Sequence, residues 1–214
     1  MPFRLPAPAL PVTSPTASLI LASTSPYRRE LLARLSSKFD VQSPGVDETP
    51  HPGETPAGTA QRLALEKALA VAAHHPRALV IGSDQAATID GVHAIGKPGD
   101  HASAREQLRA ASGRTMHFYT ALATVRTADG FRACALVETR VRFRRLDDDE
   151  IERYLQRERP YDVAGSAKAE GLGIVLLEAI EGDDPTALIG LPLIALGRML
   201  RDAGLSPLAD PGER

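Results

Sequence analysis

The sequence predicts an α/β fold built around a mixed β-sheet. Two observations point to it: apolar strand-like runs alternate along the chain with segments of helical spacing, and both hairpin turns and helical crossovers connect these runs. Hairpins join antiparallel strands and crossovers join parallel ones, so a sheet that uses both is mixed. At 214 residues the chain is long enough for one domain or two closely packed lobes with an ample core.

The N-terminal part of this domain predicts alternating strands and helices. Residues 18–23 form an apolar run that ends in small polar residues, which is the pattern of a buried strand. Ser25 then suits the N-cap of a helix, and Pro26 suits its first position. Next we expect a strand over 39–43, a polar loop rich in Pro and Gly over 43–56, and a helix over 59–74.

The remaining elements follow from similar signals. The segment "RALVIGSDQAATIDG" predicts a strand with a hairpin-like return through Asp90-Gly91, and a short helix is expected over 102–111. Two β-rich segments, 116–126 and 133–146, meet at Asp129-Gly130 and predict an antiparallel pair. We expect a helix over 147–157 with Asp147 as its N-cap, a strand over 173–180, and a helix over 185–203 capped by Asp184.

Composition excludes several classes of protein. A net charge of −2 argues against a general nucleic-acid or membrane binder. The single cysteine, Cys134, excludes a disulfide framework or cysteine metal cluster, and its apolar neighbours predict a place in the core. The sequence has no apolar run of about 18 residues and no apolar signal core, so a cytoplasmic protein is expected. We expect a disordered Pro-rich extension over 1–17, one domain over 18–208 and a flexible tail over 209–214.

Two arginines in the first turn of the first helix suggest an anion site. Arg28 and Arg29 lie at the positive end of the helix dipole, where cations are mildly destabilising. A strand, a polar turn and a helix N-terminus also present backbone N–H groups to an anion. The arginines are favourable there if a polyanion neutralises them, and the alternative is a pair of solvated side chains.

Other charged residues match the requirements of phosphoryl chemistry. Asp84 follows the apolar run "LVIGS", Glu48 lies in the polar loop, Lys67 interrupts a largely apolar helix face, and Lys97 lies in "GKP". Carboxylates can hold Mg²⁺ or polarise water, and cations offset phosphate charge. The Walker and G-x-S-x-G motifs are absent, which argues against an ATPase and against an acyl hydrolase.

The ordered motifs resemble one family over nearly the whole chain. "LILASTSPYRRELL", "VDE", "LALEKA", "IGSDQ", "GKP", "YDVAGSAKAEGLGI" and "GDDPTALIGLPL" look like the Maf (septum formation inhibitor) family of nucleoside triphosphate pyrophosphatases. The resemblance implies a two-lobed α/β fold around a central mixed β-sheet with flanking helices and an interlobe cleft. It also implies dependence on a divalent metal cation, Mg²⁺ or Mn²⁺, and hydrolysis of a nucleoside triphosphate to the monophosphate and pyrophosphate.

The same resemblance assigns roles to individual residues. By motif, Asp84 falls on the presumed general base, and it acts in catalysis together with Lys67 and Lys97. Glu48 and Asp84 are the expected metal ligands. Ser23 and Arg28 also fall on functional positions and are expected to bind the triphosphate. Arg29 is expected to bind it with them because of its charge beside Arg28.

Three positions point to a branch of the family. Tyr27, Gln85 and Glu170 resemble the branch that acts on 7-methyl-GTP, although that branch generally has Trp where this chain has Tyr27. Glu170 can accept from the guanine N1–H and amine, and a cationic base favours both a carboxylate and an aromatic face. We therefore expect a house-cleaning 7-methyl-GTP pyrophosphatase, with a homodimer left open. The alternatives are a dTTP/UTP pyrophosphatase, a nucleotide-binding cell-division regulator with little turnover, and a nucleotidyl or sugar-nucleotide transferase.

Overall fold

A computed structural model describes residues 18–208, and within this range six strands form one mixed sheet. The strands are β1 (Leu19–Ala22), β2 (Asp40–Gln42), β3 (Leu79–Thr88), β4 (Thr115–Arg126), β5 (Phe131–Phe143) and β6 (Leu177–Gly182). Their spatial order is β2-β1-β3-β4-β5-β6. β1 is parallel to β2 and β3, and the other neighbours are antiparallel, which confirms the predicted mixed sheet. The predicted extension and tail, 1–17 and 209–214, lie outside the described residues.

Five helices flank the sheet in residues 18–208. They are α1 (Pro26–Ala33), α2 (Pro56–Ala72), α3 (His101–Ala111), α4 (Asp148–Glu158) and α5 (Leu193–Asp202). As predicted, the side chain of Ser25 caps α1 and that of Asp147 caps α4. α2 begins earlier than expected, because Thr55 accepts a hydrogen bond from Gly58 N and Pro56 occupies the first turn. None of these helices has the length and apolar character that a membrane span requires.

α2 packs directly on one face of β3 and β4. Gly82 makes this close approach possible, because a Cβ atom there would lie 2.1 Å from the carbonyl oxygen of Ala64. Small apolar residues, including Ala68 on α2 and Ala121 on β4, fill the interface. The short distance between helix and strand brings the side chains of α2 within reach of the polar residues that follow Gly82.

Two separate cores cover the opposite face of the sheet. At one end α1 and α5 pack on β1 and the start of β3, through residues such as Leu21 and Leu196. At the other end α3 and α4 pack on the end of β3 and the start of β4, around Phe118 and Leu155. The cores form two lobes that share β3 and β4. This is the two-lobed architecture that the sequence predicts.

An open edge of β3 forms the cleft between the lobes. β1 pairs with β3 only as far as Gly82, and the next neighbour on that side is Ile95, which bridges to Ala87. Between these two contacts the edge of β3 has no paired strand among the described residues. Residues 83–86 therefore face an opening whose walls come from both lobes.

The predicted final helix over 185–203 is too long. Residues 185–192 form turns instead, because Gly190 adopts a φ of +119° and α5 begins only after Pro192. Asp184 nevertheless caps the helix from a distance, because its Oδ2 accepts from Ile194 N at 2.7 Å and Ala195 N at 3.4 Å. The predicted start of the helix is wrong and its N-cap residue is Pro192, although the carboxylate of Asp184 satisfies N–H groups of the first turn.

Two further predictions fail, one before β6 and one on β5. Residues 172–176 form a 3-10 helix rather than the start of a strand, because Gly173 packs against the backbone of Lys168 in a tight turn. Cys134 is exposed rather than part of the core. It lies on β5 where alternate side chains are exposed, so the apolar residues next to it in the sequence wrongly suggest that it is buried.

Candidate active site

Lys67 joins two carboxylates at the centre of the cleft. Its ammonium nitrogen lies 2.6 Å from Asp84 Oδ1 and 2.6 Å from Glu48 Oε1. Lys67 projects from the face of α2 that packs on the sheet and is 4% exposed, and Asp84 points from β3 toward the same helix. Glu48 lies in the loop before α2. Three segments distant in the sequence thus place two negative charges around one buried cation.

The two carboxylates have different electrostatic environments. Burial raises the pKa of Asp84, although the positive charges of Lys67 and Arg28 oppose this shift. Burial also favours the protonated form of Glu48, but the hydrogen bond and charge of Lys67, with Arg28 and Lys97, outweigh it and lower the pKa of Glu48. Asp84 is therefore the better proton acceptor of the two, and Glu48 is the one that stays ionised.

Arg28 reaches the same site from α1. Its Nε donates to the carbonyl oxygen of Gly190 at 2.9 Å, and within the described residues its Nη atoms have no hydrogen-bond partner. Burial lowers the pKa of Arg28, and the charges of Asp84 and Glu48 oppose that shift. The Nη groups are positioned to bind a phosphate or carboxylate through two parallel hydrogen bonds.

Ser23, Lys97 and Arg29 make no hydrogen bond or salt bridge to this cluster within the described residues. Ser23 is 4% exposed, and its Oγ accepts from Ser25 N at 3.1 Å, so it shapes the turn that leads into α1. Lys97 is exposed and near enough for its charge to lower the pKa of Glu48. Arg29 follows Arg28 on α1 and is turned by about 100° around the helix. It lines a depression toward Val41 on β2, so the structure does not bring Arg29 to the cluster.

The predicted specificity residues do not form one group. The hydroxyl of Tyr27 donates to Asp162 Oδ2 at 3.0 Å, and the Lys168 ammonium lies 5.9 Å from the centre of the Tyr27 ring. This contact joins α1 of one lobe to the 160–170 segment of the other. Glu170 is exposed on that segment, near enough to Tyr154 for its charge to raise the pKa of that phenol.

Gln85 lies on the opposite face of β3 from Asp84, because successive strand residues point to opposite faces. Its Nε2 is 3.0 Å from the carbonyl oxygens of both Ala187 and Leu188 and 2.9 Å from Thr120 Oγ1. Gln85 therefore anchors the turns before α5, and the structure does not bring it to the carboxylates. The part of Gln85 in substrate specificity stays a prediction.

Sequence reasoning missed several residues that build the site. Gly190 supplies the carbonyl that holds Arg28, and Ser83 Oγ lies 3.0 Å from that same oxygen. Asp162 and Lys168 hold Tyr27 through a hydrogen bond and a cation over its ring. All of them except Ser83 lie in the long C-terminal motifs of the chain, but no local pattern indicates which residue they meet.

The two carboxylates suit a divalent metal cation. Glu48 Oε1 and Asp84 Oδ1 are both 2.6 Å from one nitrogen atom, so they are close to each other. The described residues contain no group of three or more His, Cys, Asp or Glu that could hold a metal. Mg²⁺ is commonly held by one or two carboxylates together with substrate phosphates. The residues present therefore fit a cation whose coordination the substrate completes.

The fold and the site define an α/β protein whose interlobe cleft combines a buried lysine and a half-buried arginine with paired carboxylates. Residues 18–203 match the family model described as Maf-like protein, and the chain belongs to this family.

Three relatives carry the same name. The chain is 61% identical to the 7-methyl-GTP pyrophosphatase of Burkholderia thailandensis, over 90% of each chain. It is 58% identical to that of Aromatoleum aromaticum, over 88% of this chain and 97% of the relative. It is 56% identical to that of Polaromonas sp. (strain JS666), over 96% of this chain and 93% of the relative. The similarity therefore spans nearly the full length of both partners.

Proposed function

We propose that this protein hydrolyses 7-methyl-GTP to 7-methyl-GMP and pyrophosphate in the cytoplasm, with Mg²⁺ or Mn²⁺ as cofactor. The observation that carries the proposal is the Lys67 cluster with Arg28 beside it, in a chain that is 56–61% identical to proteins named for this activity. Cations beside paired carboxylates are what the hydrolysis of a triphosphate requires.

Asp84 is the proposed general base. Its Oδ1 is bound to Lys67, and its raised pKa favours uptake of the proton from the attacking water. Water attacks the α-phosphorus, the bond to the bridging oxygen breaks, and pyrophosphate leaves. Lys67, Lys97 and Arg28 offset the charge that develops on the phosphate oxygens. A divalent cation held by Glu48 and Asp84 would further stabilise that charge.

Tyr27 and Glu170 are the proposed contacts of the base. The carboxylate of Glu170 can accept from the guanine N1–H and amine, and the positive charge of 7-methylguanine favours both a carboxylate and an aromatic face. The Lys168 ammonium also lies 3.2 Å from Asp162 Oδ1, so it keeps an anionic partner when a base takes the face of the Tyr27 ring.

A substrate panel with product identification tests the proposal. We expect release of pyrophosphate from 7-methyl-GTP with a higher kcat/KM than from dTTP, UTP or GTP. Asp84→Asn should lower kcat by about 100-fold or more with little change in KM, because an amide is a poor base. Asp183→Asn, which changes an exposed aspartate, is the matched control. Preference for dTTP or UTP would contradict the choice of base, and absence of pyrophosphate would contradict the reaction.

A further inference from the structure

Part of β5 presents an unpaired edge. β6 pairs with β5 only from Thr139 to Phe143, and within the described residues the outer edge of 132–138 has no backbone partner. The side chains on one face of this run are exposed, with Leu136 36% exposed and Cys134 also open to solvent. A long unpaired edge with apolar side chains is a template for pairing with another strand.

The sequence of this run is complementary to itself. When 132–138 pairs antiparallel with a second copy about a twofold axis at Ala135, Arg132 lies opposite Glu138 of the second copy, and Cys134 lies opposite its Leu136. Opposite charges then meet at both ends, and small and apolar side chains meet between them. This register pairs the whole unpaired run with itself and stops where β6 begins.

The surroundings of the edge suit such a partner. Arg132 is exposed, and among the described residues it forms no salt bridge. Glu138 Oε1 contacts His117 Nδ1 at 2.7 Å, which leaves its second oxygen available to an arginine. Ile194 at the start of α5 is 55% exposed and borders the same depression as Leu136, so it adds apolar surface beside the edge.

We propose that the protein forms a homodimer in which the 132–138 edges of two copies pair antiparallel about Ala135. The two sheets become one continuous sheet across the interface. β4 separates this edge from β3, so the cleft around Asp84 stays open in both copies. The interface and the proposed hydrolysis are therefore independent of each other.

Cross-linking determines the register. In the proposed dimer a cysteine at 136 faces Cys134 of the second copy, at a separation that a disulfide spans. Leu136→Cys should therefore give a covalent dimer on oxidation. The diagonal pairs, 134 with 134 and 136 with 136, are about 7–8 Å apart, which is too far for ready bonding. The wild type and the Cys134→Ser/Leu136→Cys variant should accordingly remain uncross-linked.

Other cross-linking results would overturn the proposal. A disulfide in the wild type would mean a register centred on Cys134. A disulfide in the Cys134→Ser/Leu136→Cys variant would mean a register centred on residue 136. No covalent dimer from Leu136→Cys, in a protein whose circular dichroism matches the wild type, would exclude the register centred on Ala135.

Charge reversal provides a second test. Multi-angle light scattering and sedimentation should show a dimer for the wild type. Arg132→Glu or Glu138→Arg alone should raise its dissociation constant about tenfold or more, because like charges then meet at both ends. The double variant, with both charges exchanged, should restore dimerisation, while kcat for nucleotide hydrolysis stays unchanged in all three. A monomeric wild type, or a double variant as weak as the singles, would contradict the interface.

Discussion

At the scale of single residues, the site depends on one cation. Lys67 is the contact that Asp84 and Glu48 share, and it is 4% exposed. Two carboxylates brought together without an intervening cation repel each other and resist ionisation. Lys67 therefore sets both the geometry of the cleft and the charge state of its acidic groups.

Replacement of Lys67 by Met should disable this arrangement. The variant keeps an unbranched side chain of similar size but loses the charge, so we expect kcat/KM to fall by about 100-fold or more and the free energy of unfolding to fall by about 2 kcal/mol. Steady-state kinetics and urea denaturation measure the two effects. Lys38→Met, a change at an exposed lysine, should alter neither quantity. An unchanged kcat/KM in Lys67→Met would remove Lys67 from the proposed machinery.

The residue types in a sequence predict the chemistry of a site better than they predict which side chains are in contact. Asp84, Lys67 and Glu48 could be selected because each is a charged residue in an unexpected local setting, and the structure brings them together. Arg29 and Gln85 were grouped with neighbours in the same motifs, but a turn of 100° on a helix and alternation on a strand point each of them elsewhere. Adjacency in a motif does not specify the direction of a side chain.

At the scale of elements, Asp184 determines where the last helix begins. It is 3% exposed, and its carboxylate accepts from Ile194 N in the first turn of α5 and from both N and Oγ1 of Thr186 in the preceding turns. One side chain thus ties the turns of 185–192 to the helix. Those turns in turn carry the Gly190 carbonyl that holds Arg28.

Asp184→Ala should weaken both connections. Loss of a helix cap and of buried hydrogen bonds predicts a decrease of about 2–3 kcal/mol in the free energy of unfolding. Because the Gly190 turn loosens as well, KM for the nucleotide should rise. Chemical denaturation and steady-state kinetics test these effects, with Asp183→Ala as the neighbouring exposed control. Equal stability of the two variants would contradict the capping role.

Elements with strong local signals were predictable, and those set by distant contacts were not. Ser25 and Pro26 identify the start of α1, and the apolar β-rich segments around Asp129-Gly130 identify the hairpin of β4 and β5. By contrast, an apolar run such as 173–180 suits a strand or a tight helical turn equally well. The backbone of Lys168 decides between them, and no local pattern reveals that contact.

At the scale of the whole molecule, a buried tyrosine hydroxyl makes the stability of the fold depend on pH. Tyr154 is 3% exposed, its hydroxyl accepts from Lys168 N at 3.1 Å, and burial raises its pKa to about 12. An unfolded tyrosine has a pKa near 10. The folded state therefore favours the neutral phenol, and this contribution to stability is complete below about pH 10 and is lost between about pH 10 and 12.

Tyr154→Phe should isolate this effect. The variant cannot ionise at this position. Relative to the variant, the free energy of unfolding of the wild type should therefore decrease by as much as about 2 kcal/mol between pH 9 and pH 12. Urea denaturation at a series of pH values measures the difference between the two proteins. Parallel stability curves across this range would show that the phenol has the same pKa in both states.

The sharing of β3 and β4 by both lobes has a mechanical consequence. Each strand is continuous from one core to the other, with Leu79 in the first core and Ala87 in the second. β4 is also paired with β5 along its full length, so three hydrogen-bonded strands run from one lobe to the other. The lobes are thus joined by continuous sheet rather than by a single connecting segment, so the twist of these strands sets how far apart the two walls of the cleft stand.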